Sequence, residues 1–339
     1  MSGGSPVRRH LAWSHGRLEV QLQAGMLGPV HFVLADGREV SPLQVAPWHN
    51  DPQRLALPVI LQGLRGEWPC VPFGADAERQ LPPDWQPQGE SCAGADVPHG
   101  WSSNNDWHWL DSASDEIALA CTYPDDHPIA ELRRRIRPVA GKPAVAITLE
   151  VGPRRDCRLP LGLHPTFRLP EEVGAVTVEP GQHGKVFSFP GDVEPGASLF
   201  PAAAVFENLE SVTKRNGQLA YADQLPFADD IEDLLQITGS AGSLALHYRK
   251  EGFRAHVRWN AKAFPSVLLW FSNRGRKHYP WNGRHLALGV EPVCSAFDLG
   301  PAISCGANPI AQSGTPTAMA FKAGQSAFFD LEISVSPAV

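Results

Sequence analysis

Short runs of alternating apolar and polar residues recur along almost the whole chain, and this period of two constrains the fold most. Successive side chains of a strand point to opposite sides, so the pattern is typical of strands with one buried face. It recurs in segments 17–23, 29–40, 115–123, 133–151, 175–180, 243–249, 253–259, 266–271, 285–291 and 325–335. No segment sustains a helical period over three turns, and the nearest helical candidates are the short segments 202–209 and 229–236. The sequence therefore predicts an all-β fold of two large, mainly antiparallel sheets packed face to face.

Turn-forming residues are abundant but evenly spread, with 31 glycines and 32 prolines among 339 residues. This distribution favours many short connections over one interdomain linker. Hydrophobic residues make up 43% and charged residues 19%, which is typical of a globular chain. The sequence has no fixed-period repeat of the kind that propellers and solenoids show, and no linker that would divide the chain. We therefore expect a single domain over residues 1–339.

Charge argues against polyanionic partners, because the formal net charge is −7. The one dense basic run is ELRRRIRP at 131–138. As a strand it separates its residues into two faces, with Arg133, Arg135 and Arg137 on one and Leu132, Arg134 and Ile136 on the other. A solvated strand face is favoured here over an arginine-lined sugar or phosphate site. No stretch has the length of a membrane span. From the net charge and this absence together, we expect neither a nucleic-acid nor a membrane partner.

The cysteines are scattered, without a C-x-x-C pair or zinc-like spacing; they are Cys70, Cys92, Cys121, Cys157, Cys294 and Cys305. The first 16 residues lack the apolar segment of a secretory signal. These features indicate free thiols in a cytoplasmic protein. Nucleotide-binding glycine motifs, a nucleophile elbow and the H-E-x-x-H motif are absent from the sequence. We expect no cofactor and no metal, which leaves acid–base chemistry by histidine and carboxylate.

Segment 74–113 is poor in strand patterns but contains four tryptophans, Trp85, Trp101, Trp107 and Trp109. Connections of this length in a compact fold are usually functional or disordered, and large indoles argue against disorder. Its stretch PHGWSSNNDWHW at 98–109 combines indoles with amides and carboxylates, the groups that bind sugar rings and hydroxyls. We therefore expect the segment to line a groove, with Trp107 or a neighbouring indole in its wall. A histidine in such a place, taken alone, is more often a loop residue than a catalyst, and this applies to His99.

Two further places hold a candidate proton-transfer group. In LPLGLHPTFRLP at 159–170, Pro160 and Pro165 exclude a continuous helix, and His164 is held extended before Pro165. In ALGVEPVCSAFDLG at 287–300, Glu291 ends an apolar strand, where a carboxylate must be neutralised, paired or used. The alternatives are a surface loop histidine and a glutamate that caps the strand end.

Together these segments resemble the aldose 1-epimerase (galactose mutarotase) superfamily. HPTF at 164–167 is similar to its H-x-Y-F segment, LGVEP at 288–292 to its L-x-x-E-P segment, and HG at 99–100 to its first histidine motif. The three occur in the family's order and spacing. The resemblance implies a β-supersandwich with a sugar bound in an open groove on one sheet.

The resemblance also implies residue roles. Glu291 would be the general base and His164 the general acid of ring opening, with His99 helping to hold the ring oxygen. The implied substrate-binding residues are Arg65, the stacking indoles Trp107 and Trp270, and one of the competing carboxylates Asp229, Asp230, Glu232 and Asp233, of which Glu232 and Asp233 are preferred. The implied partner is a small sugar, with no cofactor.

The sequence departs from the family pattern at Thr166, where the family has tyrosine, and at Arg168, where it has asparagine. No arginine follows His99–Gly100 within five residues, unlike in the hexose-6-phosphate branch. Several functions therefore stay open beside mutarotation of a free aldose. They are a hexose-phosphate epimerase, a non-catalytic carbohydrate-binding protein on the same fold, and a polysaccharide lyase or glycosidase, the last of which requires two carboxylates.

Overall fold

Strands dominate the computed structural model, which describes residues 7–88 and 97–338. In chain order the strands are β1 (Arg8–Trp13), β2 (Gly16–Gln21), β3 (Leu27–Val33), β4 (Glu39–Val40), β5 (Pro69–Cys70), β6 (His108–Trp109), β7 (Ile117–Thr122), β8 (Ile129–Pro138), β9 (Ala144–Pro153), β10 (Cys157–Leu159), β11 (Leu161–Leu163), β12 (Thr166–Arg168), β13 (Val176–Pro180), β14 (Val186–Ser188), β15 (Val205–Phe206), β16 (Val212–Thr213), β17 (Leu219–Ala220), β18 (Gln224–Leu225), β19 (Ile231–Thr238), β20 (Ser243–Tyr248), β21 (Phe253–Trp259), β22 (Ser266–Asn273), β23 (Leu286–Cys294), β24 (Met319–Phe321) and β25 (Ala327–Pro337). The α-helices are short: α1 (Val59–Gln62), α2 (Gly100–Asn104), α3 (Gly300–Ser304) and α4 (Pro309–Gln312). Two 3₁₀ helices span Pro52–Ala56 and Pro83–Trp85.

Two large antiparallel sheets form the body of the molecule, as the sequence predicts. The nine-stranded sheet has the order β18-β13-β20-β21-β25-β9-β8-β7-β6. The eight-stranded sheet has the order β15-β14-β19-β22-β23-β11-β5, with β12 also paired to β23. A four-stranded sheet of β1 to β4 and the two-stranded ladders β10–β24 and β16–β17 accompany them.

The two large sheets differ in how far the side chains on their outer faces are buried. Strands of the nine-stranded sheet alternate, as in β21 and in β8, where Arg133, Arg135 and Arg137 are exposed while Leu132 and Ile136 are buried. In contrast, every residue of β22 and β23 is buried. Side chains of β22 alternate between an apolar cluster shared with the other sheet and a second, aromatic-rich cluster under the loops. The eight-stranded sheet is therefore covered on both faces.

The two helical expectations are wrong. Segment 229–236 falls largely in β19, which pairs with β14 and β22 and is buried throughout. Its polar side chains have internal partners: Asp233 accepts hydrogen bonds from the backbone N–H groups of Leu199 and Phe200. These buried polar residues break the apolar run and imitate a helical period. Segment 202–209 contains the short strand β15.

The expectation of free thiols holds for Cys70, Cys121, Cys157 and Cys294 but not for Cys305, which is disulfide-bonded. Cys92 lies outside the described residues. Because disulfides persist mainly in oxidising compartments, the state of the cysteines does not support the expected cytoplasmic location. Within residues 7–88 and 97–338, no helix combines the length and apolar character needed to cross a membrane.

Candidate active site

A cavity of about 410 Å³ lies on the outer face of the eight-stranded sheet. Strands β19, β22 and β23 contribute its floor, with Leu234, Leu268, Trp270 and Glu291. Helix α1 and the loops supply the walls, with Pro58, Ile60, Leu61, Leu64, Trp68, Gly74, Ala75, Ala77, Arg79, Pro98, His99, His164, Val193, Glu194, Arg276, His278, Trp281 and Asp298. A few polar groups thus converge in a largely apolar and aromatic pocket, the usual character of a small-molecule site.

His164 is fixed from several sides. It lies between β11 and β12, both of which pair with β23, and its backbone N–H donates to the Trp68 carbonyl at 2.9 Å. The Pro165 carbonyl accepts from the Val290 N–H at 2.8 Å, so the proline interrupts the strand without detaching it. The imidazole stacks on the Trp68 indole, with centroids 4.1 Å apart and planes inclined by 17°. His164 is therefore a held side chain and not a mobile loop histidine.

Glu291 faces His164 from the middle of β23. Its Oε1 lies 3.3 Å from His164 Nε2, and only 1% of the residue is exposed. Gly289 makes room for the carboxylate, because a Cβ there would stand 2.3 Å from Glu291 Oε1. In the part of the chain that the structure describes, that oxygen has no hydrogen-bond partner. A buried carboxylate oxygen without a partner is costly, which marks it as a point of contact for a ligand.

Electrostatics place one proton on this pair. Burial, with a smaller contribution from the negative charge of Asp298, raises the pKa of Glu291 well above its usual value. Burial, together with the neighbouring His99, lowers the pKa of His164 well below its usual value. Both shifts favour the uncharged forms, a protonated carboxyl beside a neutral imidazole. A proton donor and a proton acceptor thus stand side by side on the cavity wall.

His99 joins the pair through the connection that precedes α2. Its ring lies 5.2 Å from that of His164, edge to face, and its backbone is left-handed at φ 60°. The Gly74 N–H approaches His99 Nδ1 at 3.4 Å, so Nδ1 accepts and Nε2 carries the proton. Burial lowers the pKa of His99 to about 4, which keeps the ring neutral near pH 7. His99 can therefore donate a hydrogen bond without carrying charge.

Comparison with known proteins rests on structure alone, because no protein-family model and no curated protein matches the sequence. A protein of Synechocystis sp. PCC 6803 superposes with a TM-score of 0.66 at 15% identity, over 99% of this chain and 98% of its own. A galactose mutarotase-like protein from Lactobacillus casei gives 0.61 at 14% identity, over 97% and 99%. A GalM/aldose epimerase homologue from C. elegans gives 0.61 at 13%, over 98% and 99%.

The fold is that of the galactose mutarotase-like proteins. The three predicted motifs converge within this mutarotase-like sandwich: His99, His164 and Glu291 all line the cavity. Trp270 joins them from β22, with its ring edge-on to His164 at 5.7 Å. No group of three or more His, Cys, Asp or Glu side chains among residues 7–88 and 97–338 is arranged to hold a metal ion.

Two predicted contacts are not in the cavity of this mutarotase-like fold. Arg65 is buried beside β2, where it donates to the Glu19 carboxylate at 2.9 Å. Trp107 is buried in the core between the sheets, and its indole N–H donates to the Ser102 carbonyl at 2.9 Å. Segment 74–113 does form a wall, but through its backbone turns, Arg79 and His99 and not through its tryptophans.

The competing carboxylates also lie outside the cavity. Asp229 and Asp230 pair with lysines at the surface, and Asp233 is occupied by backbone N–H groups. Glu232 is buried beside the cavity, where its Oε1 accepts from the Trp270 indole N–H at 2.5 Å. Its side chain also lies 3.4 Å from that of Arg276, which borders the cavity. Glu232 thus supports the aromatic floor without lining it.

Several cavity residues escaped the sequence analysis. Trp68, Arg79, Asp298, Arg276 and Trp281 come from four separate stretches and carry no local motif. Arg79 and Asp298 nevertheless lie in segments singled out for other reasons, 74–113 and 287–300. The others are brought together by the sheet topology alone.

Proposed function

We propose that this protein is an aldose 1-epimerase, which interconverts the α and β anomers of a sugar by opening and closing its ring. The observation that carries the proposal is the buried pair of Glu291 and His164. Its side chains approach to 3.3 Å and both line an indole-lined cavity, and one buried carboxylate oxygen of Glu291 has no hydrogen-bond partner among the described residues. Mutarotation needs one group to accept a proton and one to donate it, which is what such a pair supplies.

The proposed reaction starts when the anomeric hydroxyl donates to Glu291 Oε1, the oxygen without an internal partner. This hydrogen bond stabilises the ionised carboxylate and shifts the pair's proton to His164. Glu291 then removes the hydroxyl proton, the bond between C1 and the ring oxygen breaks, and the ring oxygen takes the proton from His164. The aldehyde rotates about its bond to C2, and the reverse steps close the ring on the other face.

The remaining cavity groups fit supporting roles. His99, neutral and with its Nε2 proton directed away from Gly74, can donate a hydrogen bond to the ring oxygen. Trp270 offers an indole face held by Glu232, and apolar sugar faces pack well on such surfaces. Neither role moves a proton, so loss of either side chain should weaken binding or positioning more than chemistry.

An uncharged sugar fits better than a phosphorylated one. Both arginines that line the cavity already face carboxylates: Arg79 lies 3.2 Å from Asp298, and Arg276 lies 3.4 Å from Glu232. A phosphate would have to displace these carboxylates or lie beside their negative charge. A hexose-phosphate epimerase is therefore the second candidate, since one rearranged arginine could still serve it.

A non-catalytic sugar-binding protein would gain nothing from this pair. Holding a carboxyl in a buried site without a hydrogen-bond partner costs stability, and indoles and amides bind sugars without it. The costly pair is explained more simply by proton transfer.

The test is polarimetry on freshly dissolved α-D-glucose and α-D-galactose, with exchange NMR for D-glucose 6-phosphate. We expect acceleration over the spontaneous rate for at least one free sugar, and less for the phosphate. Binding of a sugar without acceleration of any would overturn the enzyme proposal in favour of the binding protein. Acceleration of the phosphate alone would establish the second candidate.

A further inference from the structure

We propose that Arg79 and Asp298 form a clamp for two neighbouring hydroxyl groups of the sugar, on the wall beside His99. This inference rests on the proposed function and adds two substrate-binding residues that no motif indicates. Both side chains line the cavity that contains Glu291 and His164. Arg79 comes from the long connection after β5, and Asp298 from the turn that leads from β23 to α3.

Arg79 and Asp298 satisfy each other only in part. Arg79 Nη2 donates to Asp298 Oδ2 at 3.2 Å, which is a single hydrogen bond rather than a two-point pair. Asp298 Oδ1 is buried, and no group among the described residues hydrogen-bonds to it. Buried carboxylate oxygens normally find a donor, so this one requires a donor that arrives with a ligand.

The turn that carries Asp298 is rigidly held. The buried amide of Gln236 accepts from the Phe297 N–H at 2.6 Å and donates to the Ser295 carbonyl at 2.8 Å. This fixes Phe297 in a left-handed conformation at φ 48°. A side chain so positioned loses little freedom on binding, which favours a selective contact.

The connection that carries Arg79 is hydrogen-bonded to the turn that carries Asp298. The Ala75 N–H donates to the Asp298 carbonyl at 3.2 Å. Gly74 permits the close approach, because a Cβ there would lie 2.5 Å from the Asp298 carbonyl atoms. The Arg79 guanidinium is also placed over the Phe189 ring, 5.3 Å from its centroid. Both halves of the clamp are thus held relative to the catalytic pair.

The chemistry of the two groups matches a vicinal diol. One hydroxyl donates to Asp298 Oδ1, and the neighbouring oxygen accepts from a free N–H of Arg79. A site that hydrogen-bonds a hydroxyl in this way rejects the analogue that lacks it, because its own buried group is then left unpaired. The clamp therefore selects sugars by the presence of one particular hydroxyl.

The experiment measures binding of the four monodeoxy derivatives (2-, 3-, 4- and 6-deoxy) of D-glucose or D-galactose, whichever parent sugar wild type binds more tightly. Titration calorimetry gives Kd for wild type, Asp298→Asn and Arg79→Met. Asp156→Asn, an exposed carboxylate paired with Lys322, is the matched control. We expect one deoxy sugar to bind wild type about 10- to 100-fold more weakly than the parent. In Asp298→Asn that penalty largely disappears, because a neutral amide oxygen is a weaker acceptor than a carboxylate, and the parent sugar itself binds about 10-fold or more weakly. Arg79→Met should reduce the penalty for the neighbouring position.

The outcomes separate the clamp from the enzyme proposal. Identical deoxy-sugar penalties in wild type and Asp298→Asn overturn the clamp even if the protein accelerates mutarotation. A penalty that disappears in a protein without mutarotation supports the clamp and overturns the enzyme. Absence of sugar binding in wild type overturns the clamp directly. If Asp298→Asn does not fold, Arg79→Met decides, since its partly exposed side chain can be shortened without burying a charge.

Discussion

Arg134 and Glu67 form an ion pair in the interior, and removing one partner gives a sharp test of how the core is held. Neither side chain is exposed to solvent. The Arg134 guanidinium donates to Glu67 Oε2 and to the Gly25 carbonyl, which connects β8 of one large sheet to the chain segments before β3 and β5. Burial alone raises the pKa of Glu67 and lowers that of Arg134, and each partner's charge opposes the shift of the other.

Arg134→Met should destabilise the fold by about 3–5 kcal/mol, the usual cost of leaving one member of a buried pair uncompensated. Typical domains are stable by about 5–15 kcal/mol, so this single change removes a large fraction of the total. The double variant Arg134→Met with Glu67→Gln should recover much of the loss, because no unpaired buried charge then remains.

The assay is equilibrium urea unfolding followed by tryptophan fluorescence, with the midpoint and slope fitted for each variant. Arg133→Met is the matched control: its side chain is half-exposed and pairs with Glu131, so it should change stability by less than about 1 kcal/mol. A loss below about 1 kcal/mol in Arg134→Met would refute the reasoning. It would mean that Glu67 is neutral in the native state and does not need the arginine.

Three further predictions concern the cavity and its surroundings. Gly100→Ala should lower the free energy of unfolding in urea by about 1–3 kcal/mol, because Gly100 has a φ of +72° and the new Cβ would lie 2.4 Å from the Val71 carbonyl oxygen. Because Gly100 follows His99, the change should also slow turnover. A variant as stable as wild type would contradict the strained turn. Trp107→Phe should leave kcat/KM within about 2-fold of wild type while lowering the urea midpoint, because the indole of Trp107 packs in the core. A rise in KM without loss of stability would instead show that Trp107 contacts the sugar. The pH profile of kcat should be a broad plateau. It falls at low pH as His164 titrates below its usual range, so that both groups are protonated and no base remains, and at high pH as Glu291 titrates above its usual range and no acid remains. An acidic limb centred at or above pH ~6.5, the ordinary imidazole value, would contradict the depressed pKa of His164.

Much of the sheet structure is readable from the sequence because alternation reports directly on half-buried strands. The segment 253–259 matches β21, and the turn between 140 and 143 separates β8 from β9. Prediction failed at β19, a strand buried on both faces that carries several polar residues. In β19 the buried Glu232, Asp233 and Gln236 interrupt the apolar pattern, and their internal hydrogen bonds depend on partners distant in sequence.

The candidate site divides in the same way. His99, His164 and Glu291 each stand in a short motif whose backbone restrictions are local, such as the proline after His164, and all three meet in the cavity. Arg65 and Trp107 were predicted from residue type and approximate position, and both are satisfied elsewhere by partners that local sequence does not reveal. Arg79 enters the cavity only because its connection is bound to the turn at Asp298.

The most direct test of the central claim is the mutarotation rate of Glu291→Gln, measured by polarimetry with sugar binding measured in parallel. The amide keeps the shape of the side chain but cannot accept the anomeric proton. We predict a fall in kcat of about 10²- to 10⁴-fold with sugar affinity within a few-fold of wild type. Glu207→Gln, an exposed glutamate paired with Lys185, should retain the wild-type rate. A Glu291→Gln variant that mutarotates as fast as wild type would show that the proton transfer takes place elsewhere.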